Sequence, residues 1–265
     1  MLRPARALSV AAIAALLTLT TLFTASSASA AGVNYVALGD SYSAGVGAGS
    51  YLSDSGSCKR STNAYAYLWK NAHAPSSFSF VACSGARTGD VLNNQISALS
   101  SSTSLVSISV GGNDAGFADT MKTCVLGSDS DCLTAVNNAK SYAQNTLPSQ
   151  LDKVYSAIHS KSPNAHVVVM GYPHLYKVGG DCIFGIGDTK RAAINSAADA
   201  LDGVIAKRVA NAGFTFGDVR SIFAEHEICG SLSTWLHSTT LPIDESYHPN
   251  SSGQANGYFP VFSRS

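Results

Sequence analysis

The chain has 265 residues, 45% of them hydrophobic, with 17 basic and 17 acidic side chains. So even a balance offers no basic face to grip a nucleic-acid backbone, which argues against nucleic-acid partners. The length suits one α/β domain with a substantial core once the N-terminal segment is set aside.

That segment, residues 1–30, has the parts of a secretory signal peptide: Arg3 and Arg6, an apolar stretch over 7–23, and the small residues Ala28-Ser29-Ala30 before a cleavage point at Ala31. As a membrane anchor it reads poorly, because it is short for a bilayer, Ala-rich and followed by no basic stop. The expectation is a secreted, extracellular protein without a transmembrane anchor, folded as one domain over 31–265. Arg3 and Arg6 leave with the leader, so this domain keeps 15 basic residues against 17 acidic.

Apolar runs at 33–38, 78–82, 105–110, 166–170 and 214–219 predict five strands. Between them, helical spacing appears at 64–72, 90–99 and 149–160. The clearest helix carries Ile194, Ala197, Ala198, Leu201, Val204, Ile205, Arg208 and Val209 on one stripe, with Lys190, Asp199, Asp202 and Lys207 elsewhere. A last helix is expected over 251–258, capped by Asn250 or Ser251. The 120s to 140s show no long lid helix and read as a segment shaping the mouth of a site, with Cys124 and Cys132 tying a small loop. Strands alternating with helices, and nearly continuous in apolar character, argue an α/β fold with a parallel sheet covered on both faces.

The six cysteines, Cys58, Cys83, Cys124, Cys132, Cys182 and Cys229, contain no Cys-x-x-Cys pair. In a secreted chain they read as three disulfides. Several pairings are open; the sequential one is favoured because it staples successive loops without threading across the sheet.

Ligands of parallel sheets bind beyond the carboxyl ends of the strands. There the first strand is followed by Gly39-Asp40-Ser41-Tyr42-Ser43, the second by Cys83-Ser84-Gly85-Ala86, and the third by Gly111-Gly112-Asn113-Asp114. A serine nucleophile needs a base with a pKa near the working pH, which means choosing among seven histidines. His73, His159, His166, His226 and His237 read as surface or structural. His174, after the fourth strand, is a candidate for lining the site. His248 is the stronger base, because Pro249 and the following helix start restrain its loop. The N–H groups of Ser41 and Gly85 and the Asn113 amide are candidate oxyanion donors. The loop Gly45-Val46-Gly47-Ala48-Gly49 fits no phosphate-binding spacing and reads as a flexible rim.

These blocks, with His248-Pro249-Asn250, resemble the SGNH, or GDSL, hydrolases, and more closely their secreted actinobacterial lipases, esterases and phospholipases. The resemblance spans the chain beyond the leader. It implies a flavodoxin-like three-layer α/β/α sandwich with a five-stranded parallel sheet, nucleophile Ser41, base His248, and an oxyanion hole of Ser41, Gly85 and Asn113. One departure is visible. Three residues before the histidine, where the family usually has aspartate, stands Glu245; Asp244, Glu245 and a backbone carbonyl of Glu245 or Ser246 are the candidates for orienting the imidazole. The implied activity is hydrolysis of lipid esters through an acyl-serine, with no cofactor or metal, by a monomer able to work at a lipid–water interface. Small and apolar residues near the blocks, Ala44, Val46, Ala86 and Phe117, suit an acyl chain. A carbohydrate acetyl esterase is the alternative, and a non-catalytic secreted binding protein a more distant one.

Overall fold

We describe a computed structural model over residues 32–182 and 185–265. The expected leader, 1–30, lies outside the described residues. Five strands, β1 (Asn34–Ala37), β2 (Ser77–Phe80), β3 (Leu105–Ile108), β4 (His166–Met170) and β5 (Thr215–Gly217), form one parallel sheet in the order β2-β1-β3-β4-β5. Each falls on an expected apolar run. The registers align Val36 of β1 with Ser79 of β2 and Val106 of β3, so the strand exits lie along one edge. Some strands are shorter than their apolar runs because the last residues already bend toward that edge. Leu38 and Asp40 still donate to the Ser107 and Ser109 carbonyls at 2.8 and 2.9 Å, which carries the β1 backbone straight into the serine turn.

The helices are α1 (Ser41–Ala44), α2 (Tyr65–His73), α3 (Thr88–Asp90), α4 (Phe117–Leu126), α5 (Asp129–Asn145), α6 (Leu147–Lys161), α7 (Asp188–Ala212), α8 (Arg220–Phe223) and α9 (Phe259–Arg264). On one face Tyr35 of β1 meets Trp69 of α2 and Phe262 of α9, with ring centroids 5.2 and 5.5 Å apart. The other helical layer is α5, α6 and α7, packed on one another. From α6, Leu151, Val154 and Ile158 are fully buried in the common core, and each such aliphatic side chain contributes roughly 1.5–3 kcal/mol.

Three expectations are corrected. The helix expected at 90–99 is broken into α3, a π-helical turn Val91–Gln95 and a 3-10 turn Ile96–Ala98. There the Gln95 side chain is drawn inward to bond the backbone of Gly39 rather than continue a regular surface helix. The 120s to 140s, in which no long helix is expected, hold α4 and the 17-residue α5, with Cys124 and Cys132 tying the short loop between them as expected. Helix α5 is rich in Asn, Ser and Asp, weak helix formers, so its pattern is faint; it is started by a capping box of Ser128 and Asp131 and held against α7. In α7, Lys190 and Asp202, expected outside the apolar stripe, are both buried. Lys190 Nζ reaches the Gly127 carbonyl at 2.7 Å, and Asp202 accepts the Tyr172 N–H at 3.0 Å, so each polar head is satisfied inside.

Three disulfides join Cys58 to Cys83, Cys124 to Cys132 and Cys182 to Cys229. The first ties a loop to the exit of β2, and the second closes the turn between α4 and α5.

Candidate active site

The serine turn is built by close backbone approach. Gly39 has φ +122°, and a Cβ there would lie 2.6 Å from the Ser109 carbonyl oxygen, so only glycine fits. Its N–H donates to Gln95 Oε1 at 2.7 Å and its carbonyl accepts from Gln95 Nε2 at 2.9 Å, which clamps the turn from both sides. Asp40 then caps α1, accepting the Tyr42 N–H at 3.0 Å. Ser41 thus occupies the first position of a one-turn helix, its side chain directed at the sheet's carboxyl edge.

Asp40 is also the hub of a buried polar network. Ser109 Oγ donates to it at 2.6 Å and the Tyr172 hydroxyl at 2.5 Å. Burial raises its carboxyl to about 6, and these hydrogen bonds limit the rise. The network links the exits of β1, β3 and β4 and holds the serine turn in place.

His248 arrives from the far end of the chain. Its carbonyl accepts from His237 N at 2.9 Å, and the Tyr42 hydroxyl donates to the Tyr247 carbonyl at 2.6 Å, so the loop is fastened to α1 itself. His248 Nε2 lies 2.7 Å from Ser41 Oγ, and Nδ1 lies 3.0 Å from the Ser246 carbonyl oxygen. One tautomer satisfies both contacts: Nδ1–H donates to the carbonyl and Nε2 accepts from the serine. Burial lowers the imidazole pKa to about 4, opposed by the Ser246 carbonyl and the charge of Asp244, so the ring is neutral over most of the pH range.

Neither nearby carboxylate touches the imidazole. Asp244 pairs with Lys59 at 2.5 Å, while Glu245 accepts from the Tyr51 hydroxyl at 2.8 Å and lies 3.7 Å from Lys59. Tyr51 in turn accepts the Gly47 N–H at 2.9 Å, and His237 Nε2 meets the Gly47 carbonyl at 2.8 Å. The loop read as a flexible rim is therefore wedged behind the histidine loop, with residues 45–48 buried.

The Gly85 N–H projects from the turn closed by the Ala86 N–H to Cys83 carbonyl bond of 3.1 Å. Asn113 Nδ2 donates to the Ala86 carbonyl at 3.0 Å, which sets its amide beside that turn and leaves one amide hydrogen over. Among the described residues, no acceptor is bonded to the N–H of Ser41 or of Gly85. The three expected donors thus come from the exits of β1, β2 and β3.

From Ser41 and Asn113 a narrow cleft, open at its mouth, runs between α4, α5 and α7. Phe117, Met121, Ala143, Leu175, Ile194 and Leu201 make its lining largely apolar. Of the apolar residues expected near an acyl chain, Phe117 lines it; Ala44 and Val46 instead pack with Ala82 in a small separate cluster. His174 does not line it. Its Nε2 meets Asp199 at 2.9 Å, while its neighbours Tyr172, Pro173 and Leu175 turn toward the cleft. His73 and His226 stack on Trp69 and Trp235. His237, read as a loop residue, is a direct support of the His248 loop.

Sequence reading missed Tyr42, Tyr51, Gln95 and Tyr172. Tyr172 carried a usable signal, its position just beyond β4 at the ligand-binding edge; Gln95 carried none, because its partner lies 56 residues away in sequence. Among the described residues no helix is long and apolar enough to cross a membrane.

Comparison with known proteins agrees with this geometry. The chain is 64% identical over 228 residues to Lipase 1 of Streptomyces coelicolor, covering 86% of this chain and 84% of that one. The solved structure of an extracellular lipase from Streptomyces rimosus matches with a TM-score of 0.86 and 58% identity, over 88% of this chain and 99% of that one. A phospholipase A1 from Streptomyces albidoflavus NA297 matches with a TM-score of 0.86 and 55% identity, over 88% and 99% of the two chains. Residues 37–255, which run from the end of β1 past His248, match the family described as GDSL-like lipase/acylhydrolase, and it is to this family that the chain belongs.

Proposed function

We propose that this protein is a serine ester hydrolase that cleaves lipid esters of the glyceride or phospholipid type. The observation that carries the reading is the 2.7 Å contact of Ser41 Oγ with His248 Nε2 at the mouth of an apolar cleft, with the other ring nitrogen on the Ser246 carbonyl. The similar lipases and phospholipase A1 support the substrate class.

In this reading the acyl chain lies along Phe117, Met121 and Ile194 and presents its ester carbonyl to Ser41. Neutral His248 takes the Ser41 proton as Oγ attacks. The developing oxyanion is received by the N–H groups of Ser41 and Gly85 and the free amide hydrogen of Asn113, donors carried by the exits of β1, β2 and β3. His248, now protonated, gives its proton to the leaving alcohol, and an acyl-serine remains. Water, activated by the same imidazole, then releases the fatty acid. The Ser246 carbonyl holds the tautomer and ring orientation in place of a carboxylate, stabilising the imidazolium less strongly than a buried charge would.

We further read residues 1–30 as an export signal and the remainder as a secreted, monomeric single domain acting at lipid–water interfaces. The extracellular lipase among the similar structures supports export. N-terminal sequencing of the protein recovered from culture medium should begin at Ala31. The enzymatic reading is tested with the mature protein and its Ser41→Ala variant on p-nitrophenyl esters, triolein, phosphatidylcholine and acetylated sugars. Wild-type release of fatty acid that the variant lacks is expected. Cleavage confined to acetylated sugars would replace the lipid reading with the carbohydrate-esterase one.

A further inference from the structure

Asn113 and Asp114 are adjacent in the chain but line different clefts. Asn113 borders the apolar one, whereas Asp114 borders a second, polar and more open cleft bounded by Arg87, Asp90, Asn93, Gln150 and Lys153. The short segment Asn113-Asp114 thus stands between an apolar groove and a water-facing one. The polar cleft also begins close to the oxyanion donors, since Arg87 is two residues from Gly85 and their Cα atoms are at most about 7.6 Å apart.

The charges of this cleft are unequally engaged. Asp114 is occupied on its own side of the wall, accepting the Thr88 N–H at 3.0 Å and the Thr88 hydroxyl at 2.6 Å. Asp90 accepts the Arg87 N–H at 2.9 Å. Arg87 and Lys153, by contrast, are both exposed, and among the described residues neither pairs with a carboxylate within 4.0 Å. Arg87 acts on Asp114 through its charge without forming an ion pair. Two unpaired cations, one a planar fork suited to phosphate oxygens, face one cleft beside a reaction centre.

We propose that this cleft is the subsite for the phosphodiester of a phospholipid head group, held by Arg87 and Lys153 while the scissile acyl chain fills the apolar cleft on the other side of Asn113-Asp114. The inference rests on the lipid-ester reading above. An ester carbonyl at the oxyanion donors has its acyl carbon chain on one side and its glycerol oxygen on the other, a few covalent bonds from the phosphate. The apolar cleft borders Ser41 and Asn113, and the polar one borders Asp114 and Arg87, the latter lying two residues from Gly85. Asn93 supplies a neutral hydrogen-bonding group for a remaining oxygen, while the Gln150 amide, bonded to the Tyr142 hydroxyl at 3.0 Å, keeps one N–H over for another.

The test compares kcat/KM for phosphatidylcholine and for a diacylglycerol of the same acyl chains, both in neutral detergent micelles, in the wild type, Arg87→Gln/Lys153→Gln and Arg87→Lys/Lys153→Arg. The glutamine pair should lower the phospholipid-to-diacylglycerol ratio by about tenfold or more, mainly through KM, and the charge-conserving pair should restore most of it. Inorganic phosphate is titrated into a soluble p-nitrophenyl ester assay as a separate arm. A ratio unchanged within about twofold in the glutamine pair overturns the subsite. Phosphate inhibition that this pair abolishes, without any change in the ratio, overturns the head-group assignment in favour of a free anion. A wild type inert toward both lipids but active on acetylated sugars overturns the lipid-ester reading, and the subsite with it.

Discussion

The position before His248 where the family usually carries aspartate gives the sharpest test. If the Ser246 carbonyl orients the imidazole, Glu245→Gln should leave catalysis nearly intact. Glutamine retains an oxygen to accept from Tyr51, now 2.8 Å from Glu245 Oε1, and the charge lost is one partner of a 3.7 Å pair with the side chain of Lys59, itself 23% exposed. A pair of that kind is worth about 0–1 kcal/mol, so the loss in kcat should stay below about fivefold. Asp244→Asn removes the closer 2.5 Å partner of Lys59, but Asp244 is half exposed, and the expected cost is similar. Had a carboxylate oriented the ring, its conversion to an amide would cost about 10⁴-fold, or roughly 5.5 kcal/mol. The two outcomes differ by three orders of magnitude on this arithmetic. The assay is kcat and KM on p-nitrophenyl butyrate at neutral pH for both single variants and the double variant, with circular dichroism to verify folding. A loss of about 10³-fold in any folded variant refutes the carbonyl assignment.

Three further outcomes follow from the same geometry. The acid limb of kcat/KM should bend near pH 4, where buried His248 takes up its proton and can no longer accept from Ser41, and activity should be retained above it; a limb at the ordinary histidine value near 6.5 would contradict the burial argument. Tyr172→Phe deletes the 2.5 Å donor to buried Asp40 and should cost about 1.5–3 kcal/mol in urea unfolding together with a fall in kcat, whereas unchanged stability would show the Asp40 network to be dispensable. Ala198→Phe, which adds a ring to the cleft wall, should lower the ratio of p-nitrophenyl palmitate to p-nitrophenyl butyrate hydrolysis by about tenfold; an unaltered ratio would place the acyl chain elsewhere.

Much of this architecture is local information. Each of the five strands is a short apolar run, and the glycine-bearing motifs after the first three sit at turns whose backbone needs are written in their residue types. That is why Ser41, Gly85 and Asn113 stand out as candidates in the chain alone, with His248 singled out by the Pro249 and helix start that follow it. Helices α4 and α5 were illegible for the opposite reason. Many of their residues have weak intrinsic preference for helix; a capping box and packing on α7 hold α5, and α4 is held against α5, so the walls of the apolar cleft emerge only when the layers assemble.

What the sequence determined by itself is the order of strands and turns along the chain and the candidacy of Ser41 and His248, because apolar runs, turn residues and residue types are local, whereas the contact between these two side chains spans 207 residues. The tertiary structure alone decided the partner of His248 Nδ1, since Asp244, Glu245 and the Ser246 carbonyl all lie within four residues of it and are told apart by where Lys59 and Tyr51 draw the carboxylates. It likewise decided that Asp202 and Asp40 are buried and Gln95 is a clamp, because each of these polar groups finds its hydrogen-bonding partner across the fold and a buried polar group without one would be too costly to keep.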